Sequence, residues 1–195
     1  MVARAESSRR TEAKIFDAAE ELFRTKLFAQ VTLQALADRA GVTLQTVLRR
    51  FGSKDKLFVA AATRLRERTM TRRKPPRLAE PAVAVRTLVA SYEEMGDIGW
   101  QLLVQESLDP LLGRFLDDAR ASHRAWVEAV FADALPREKR ERARRVDLLF
   151  CATDFYQWKL LRRDLGKSRA ETARRITEAV DALLRSFGGA DRGRR

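Results

Sequence analysis

The chain has 195 residues, 45% of them hydrophobic, and carries 39 Lys and Arg against 27 Asp and Glu for a formal net charge of +12. That length buries a real core in one large or two small domains, and that charge calls for a polyanionic partner. A single cysteine, Cys151, excludes an intramolecular disulfide and suits a reducing cytoplasm, while no run approaches the ~18 apolar residues of a membrane-spanning helix and the opening MVARAESSRR lacks the apolar core of a secretory signal.

Only 9 Gly and 5 Pro are present and few segments alternate with period two, so the expected fold class is all-α. Residues 1–10, with Arg4, Arg9 and Arg10, read as a flexible basic arm. Thr11 caps a first helix over 12–26, whose buried stripe is Ile15, Ala18, Ala19, Leu22 and Phe23. Phe28 and Val31 follow in a connector that packs beneath the next elements. Two short helices come next, 33–40 capped by Thr32 and 44–51 capped by Thr43, joined at Ala40-Gly41-Val42. Ser53 caps a fourth helix over 54–73, lined by Leu57, Phe58, Ala61 and Leu65. Lys74-Pro75-Pro76-Arg77 ends it, because consecutive prolines do not sit inside a helix. Further helices are expected over 80–95, 100–108, 111–135, 137–164 and 169–187, the last capped by Ser168. The resulting domain plan is a flexible basic arm (1–10), a basic N-terminal helical domain (11–56), a connecting helix (57–75), a second helical domain (76–188) and a flexible tail (189–195).

The stretch from Thr32 to Lys54 carries the functional signal. Gly41 permits a sharp exit from one helix, and Val47 and Phe51, one turn apart, aim the next at a core. Thr43, Gln45, Thr46, Arg49 and Arg50 are left facing outward, a set of hydrogen-bonding groups and positive charge that suits base edges and phosphates. Leu44 either meets a thymine methyl group or packs locally. Charge is distributed accordingly: residues 1–74 hold 17 Lys and Arg against 8 Asp and Glu, a net of +9 out of the chain's +12. This is the pattern of a helix-turn-helix that binds double-stranded DNA.

The residues that carry these features resemble the TetR family of transcriptional regulators. The matching runs are Ile15 to Phe23, Val31-Thr32-Leu33 to Leu36-Ala37, Ala40-Gly41-Val42, and Phe51-Gly52-Ser53-Lys54-Asp55-Lys56-Leu57. The resemblance is specific over about residues 11–60 and is one of layout beyond. It implies that Thr32 caps its helix and meets a phosphate, that Gln34, Thr43, Gln45, Thr46 and Arg49 lie near DNA, and that Lys54 binds a phosphate. It also implies a dimer paired through the last two helices and a repressor released from a palindromic operator by a small-molecule effector. Leu48 stands where the family typically has tyrosine, Arg50 where it often has histidine or tyrosine, and Leu27 where glycine is often seen.

The second domain's aromatic content suits a pocket between helices, with Trp100, Leu103, Val104, Phe115, Trp126 and Phe155 as candidate lining or as plain core. A dimer reads two half-sites where one head reads few base pairs. Its expected surface joins Thr153, Tyr156, Gln157, Leu160 and Leu161 to Ile176, Val180, Leu183 and Leu184. The only histidine, His123, has no cysteine or second histidine at metal-ligand spacing, so no metal and no cofactor are expected, and its place is structural or on the surface. Cys151, on an apolar face, reads as a small core residue. There is no phosphate-cradling glycine loop, and Glu93-Glu94 and Asp117-Asp118 diverge around their helix axes, so an enzyme is disfavoured. A DNA-binding activator or architectural protein without a ligand is the alternative.

Overall fold

A computed structural model describes residues 2–73 and 80–192, and the described residues are mostly helical, with no strand among them. The helices are α1 (Val2–Thr25), α2 (Leu33–Ala40), α3 (Leu44–Phe51), α4 (Lys54–Arg73), α5 (Pro81–Val104), α6 (Pro110–Val130), α7 (Lys139–Thr153), α8 (Phe155–Lys159) and α9 (Arg169–Arg192). They form two compact units, one of Met1–Arg68 with Met95–Leu116, the other of Thr69–Glu94 with Asp117–Arg195.

The first unit is built on the stripe read from α1. Ile15, Ala18, Ala19 and Phe23 are buried, and Phe28, Val31, Leu36, Ala37, Val47, Leu57, Phe58 and Ala61 close over them. Phe28, Phe23 and Phe58 form an aromatic triangle, with centroids 5.8, 5.4 and 5.2 Å apart, and Phe115 adds an edge at 5.7 Å from Phe58. Each such pair contributes about 0.5–1.5 kcal/mol beyond the area it buries. Ile98, Leu102, Leu112 and Leu116 belong to the same core. That is why a chain boundary placed near Pro75-Pro76 does not coincide with the folded units: apolar residues well beyond it complete the N-terminal core. The Lys74–Arg77 punctuation itself lies outside the described residues.

The second unit is organised around Tyr92 and Trp158. The Tyr92 hydroxyl donates to the Thr153 carbonyl at 2.8 Å, and its ring meets Phe155 edge-on at 5.3 Å. Trp158 Nε1 donates to Glu93 at 2.8 Å, and Arg162 grips both oxygens of the same carboxylate at 2.6 and 3.1 Å. Arg145 is a buried charge held by Glu141 at 2.9 Å and by the Ala134 carbonyl at 2.9 Å, with its guanidinium 4.9 Å from the Phe187 ring centre. Desolvating that guanidinium is tolerable because it is paired and hydrogen-bonded.

Several expected elements differ. Where a mobile arm is expected at 1–10, α1 is already helical from Val2. The turn expected at 96–99 is a kink inside α5 at Gly96, with φ 47° and ψ −133°, a backbone open to glycine. The helix expected over 111–135 ends at Val130. The one expected over 137–164 starts at Lys139, capped by Glu138, and breaks at Asp154, whose extended backbone and carboxylate cap restart the chain as α8. α8 then runs into a wider π turn over Leu160–Asp164. Ser168 caps α9 as expected, in a reciprocal box with Glu171 at 3.2 and 3.0 Å. Helix α9 continues past the expected end at 187 to Arg192, and the last three residues of the expected tail lie outside the described residues.

Candidate nucleic-acid interface

The turn between α2 and α3 is set by local chemistry. Thr32 Oγ1 accepts the Ala35 N–H at 3.1 Å and starts α2. Gly41, at φ +64°, ends it in the left-handed region, with its N–H on the Asp38 carbonyl at 3.2 Å and the Val42 N–H on the Ala37 carbonyl at 3.0 Å. Thr43 Oγ1 then accepts the Thr46 N–H at 3.2 Å and starts α3, with the two threonine hydroxyl oxygens 2.9 Å apart. The inner side of α3 is seated by Val47, which is fully buried, and by Phe51, edge-on to Phe16 at 5.5 Å.

The outer side of this motif exposes Thr32, Gln34, Thr43, Gln45, Leu48 and Arg49, with Thr46 half-buried. Gln34 Nε2 donates to Asp38 at 2.7 Å, which holds its amide along α2. Gln45, Leu48 and Arg49 stand at i, i+3 and i+4 and so share one face of α3.

Three assigned residues make contacts inside the fold. Arg50 does not project outward: its side chain is 21% exposed, donates to Ser8 Oγ at 2.7 Å and lies 3.8 Å from Glu12. It ties α3 to α1, because its position falls on the side of α3 that faces α1. Leu44 is half-buried and packs against the core of the first unit, so local packing is the reading the structure supports for it. Lys54 turns inward. Its ammonium donates to the Phe28 carbonyl at 3.0 Å and stands 4.3 Å from the centre of the Phe28 ring. An ammonium has three donors, so two remain for another acceptor. The residue missing from the expected set is Leu48, which is exposed; its spacing from Gln45 and Arg49 was the available signal.

The other assigned residues divide between the two units. Trp100, Leu103, Val104 and Phe115 belong to the first; Trp126 and Phe155 belong to the second and are buried there. None of these six lines a surface hollow of about 330 Å³ formed by Arg120, Ala121, Arg124, Asp147, Phe150 and Cys151. Cys151 is exposed at that hollow instead of buried, because Arg145, Val146, Leu149 and Thr153 take the inner face of α7. His123 is a core residue, stacked on Trp126 at 5.5 Å, edge-on to Phe150 at 4.8 Å, with Nε2 3.1 Å from Thr153 Oγ1.

Of the residues assigned to a dimer surface, Ile176 and Val180 are 0% exposed and Leu161 is also buried. These three, with Thr153, close the protomer's own core. Tyr156 at 50% and Leu160 at 44% are exposed, Gln157, Leu183 and Leu184 are half-buried, and Leu148 and Leu165 are further exposed apolar groups in the same unit.

Among the described residues no helix is long and apolar enough to cross a membrane. Residues 15–61 match the model of the family described as bacterial regulatory proteins, tetR family. The fold is similar to that of a transcriptional regulator from Rhodococcus sp. Rha1, with 21% identity, a TM-score of 0.69, and 92% of this chain and 97% of that one covered. It is also similar to a TetR-family transcriptional regulator from Mesorhizobium loti, at 20% identity and a TM-score of 0.64 over 92% of this chain and 97% of the other. A transcriptional regulator from Saccharomonospora viridis, solved in complex with choline, is 15% identical with a TM-score of 0.62 over 91% and 96% of the two chains. No curated protein matches the chain.

Proposed function

We propose, for a chain whose N-terminal domain belongs to the TetR family of bacterial transcriptional regulators, that it is a homodimeric repressor of the cytoplasm, with no catalytic role. Each protomer places α3 in the major groove of one half of a palindromic operator. The observation that carries this reading is the outward face of α3: Gln45, Leu48 and Arg49 are exposed on a helix whose other side is locked into a core by Val47 and Phe51. Thr32, Gln34, Thr43, Thr46 and Lys54 flank that face and supply hydrogen bonds and positive charge for the phosphates that fix register.

Dimerisation and effector binding fall to the second unit. Tyr156 and Leu160 supply exposed apolar surface for the pairing of two copies, with Leu183 and Leu184 partly available beside them. A small-molecule effector releases the operator by favouring a dimer whose two heads no longer match the half-site spacing. A regulator of similar fold, from Saccharomonospora viridis, holds a small molecule, choline, and this supports an effector here without naming it.

Selection of bound sequences from a random DNA pool tests the reading. A palindromic consensus with half-sites spaced by one helical turn or a multiple is expected. A monomer at micromolar concentration by sedimentation, or a pool that never enriches, contradicts it. Loss of the shifted complex on adding a compound library separates an effector-responsive repressor from a ligand-free activator or architectural protein.

A further inference from the structure

The base-reading face of α3 contains an apolar element. Between Thr32 and Lys54, Leu48 is the exposed large apolar side chain, at 36% exposure. The other large apolar groups of α3 are committed inward: Leu44 packs on the core, Val47 is buried and Phe51 rests on Phe16. Arg50 is drawn back to Ser8 and Glu12. What α3 offers outward is therefore a row of three unlike chemistries on neighbouring positions: an amide at Gln45, a branched hydrocarbon at Leu48 and a guanidinium at Arg49.

We propose that Leu48 selects a thymine in each half-site by packing on its C5-methyl group. The inference rests on the reading of α3 as the recognition helix. Of the groups that base pairs present in the major groove, the thymine methyl is the apolar one, and a leucine has no hydrogen bond to offer any of the others. Leu48 lies one turn beyond Gln45 and beside Arg49, so a base pair adjacent to those read by the polar pair falls under it. With α3 in the groove and Gln45 and Arg49 on neighbouring base edges, the hydrocarbon meets the groove floor; removing both apolar surfaces from water then favours thymine over a base without the methyl. This gives selectivity to a position that carries no hydrogen-bonding group.

The test uses the full-length protein on the consensus recovered from a random pool. Each thymine is replaced in turn by uracil, which lacks only the methyl group, and binding is measured for the natural chain, Leu48→Ala and Leu48→Met. At one position per half-site, uracil weakens the natural chain by about three- to tenfold. Leu48→Ala binds the thymine site that much more weakly and is indifferent to uracil there, and Leu48→Met, still apolar, keeps most of the preference. Thermal unfolding checks that Leu48→Ala folds, as expected for an exposed side chain. If the uracil and Leu48→Ala effects multiply at every thymine, or no thymine is sensitive, Leu48 does not read a methyl group, although the chain remains a sequence-specific DNA binder. If no consensus is recovered, the recognition-helix reading fails and takes this inference with it.

Discussion

The backbone N–H of Phe28 donates to Oε1 of Gln105, 77 residues away in sequence, at 2.7 Å in a buried setting. The carbonyl of the same Phe28 accepts from Lys54 at 3.0 Å, at the start of α4. One residue of a short connector thus draws a side chain from a distant part of the first unit to each of its backbone groups, the carbonyl accepting also from the Val31 N–H at 3.2 Å. Replacing Gln105 with Leu leaves a buried N–H unpaired, which costs about 1–3 kcal/mol. Urea unfolding of Gln105→Leu is expected to show a loss in that range; an unchanged midpoint means the amide finds another partner.

Lys54 holds Phe28 within the fold, and different measurements separate that role from the phosphate contact proposed for it. Removing its ammonium takes a hydrogen bond and a cation–π contact from Phe28, about 1–2.5 kcal/mol of stability together. If its remaining donors also reach a phosphate, Lys54→Met weakens binding to all DNA and lowers the slope of log affinity against log salt by about one. A fully retained slope alongside a stability loss assigns Lys54 to the fold alone. Gln45→Ala, by contrast, is expected to blunt discrimination between operators while the salt slope stays put.

Gly41→Ala isolates a purely backbone effect. A Cβ at Gly41 meets no atom within 4 Å, yet the residue sits at φ +64°. Left-handed backbone costs a non-glycine residue about 1–2 kcal/mol. The expected result is a loss of that size in a folded variant, read by calorimetry. A much larger loss points to an unforeseen steric clash in the turn.

The last helices offer a contrast between core and surface. Ile176 is 0% exposed, so Ile176→Ala is expected to cost about 2–5 kcal/mol of folding stability. Leu160 is 44% exposed, so Leu160→Glu is expected to leave each protomer folded and shift sedimentation from dimer to monomer. Persistence of the dimer in Leu160→Glu moves the pairing surface elsewhere.

Two carboxylates set an acid limb. Burial pushes the Glu93 carboxyl up, but hydrogen bonds from Arg162 and Trp158 and the charges of Arg162 and Arg163 outweigh it and leave it below the ordinary value. Hydrogen bonds from Arg144 and then Arg145 lower Glu141 to about 2. With folded values below unfolded ones, both contribute stability that is complete above the usual carboxylate range of about 4.3 and is lost as pH falls through the folded values. The gap in melting temperature between the natural chain and Glu141→Gln is expected to close as pH falls from about 4.3 towards 2. A gap that is flat with pH means Glu141 acts by something other than its charge.

Much of the reading head was legible in the sequence because its determinants are local. Gly41, Thr32, Thr43 and Ser53 act through backbone geometry and caps within three or four residues, and the predicted bounds of α2, α3 and α4 coincide with those observed. The stripe of α1 is a period-3.6 signal that needs no partner to be seen. Side-chain direction at the ends of those helices was less legible. Arg50 and Arg49 are chemically alike and adjacent, yet only the contact with Ser8 and Glu12 turns one of them inward.

The second unit shows where sequence reasoning stops. Asp154 breaks an apolar, helix-compatible run because its carboxylate caps the next segment at Tyr156, a choice periodicity does not reveal. Ile176 and Val180 make a stripe that fits a partner helix or the protomer's own core equally well, and burial decides for the core. Likewise, that Ile98 to Leu116 completes the N-terminal core follows from packing between residues far apart in the chain. The sequence by itself determined an all-helical chain, its helix-turn-helix and its asymmetry of charge, since each rests on spacing, capping and composition along the chain. Only the tertiary structure decided that Arg50 leaves the free face of α3, that Leu48 stands on it and that Lys54 and Gln105 hold Phe28. Those outcomes depend on which apolar residues leave water together, and that is a property of the folded whole.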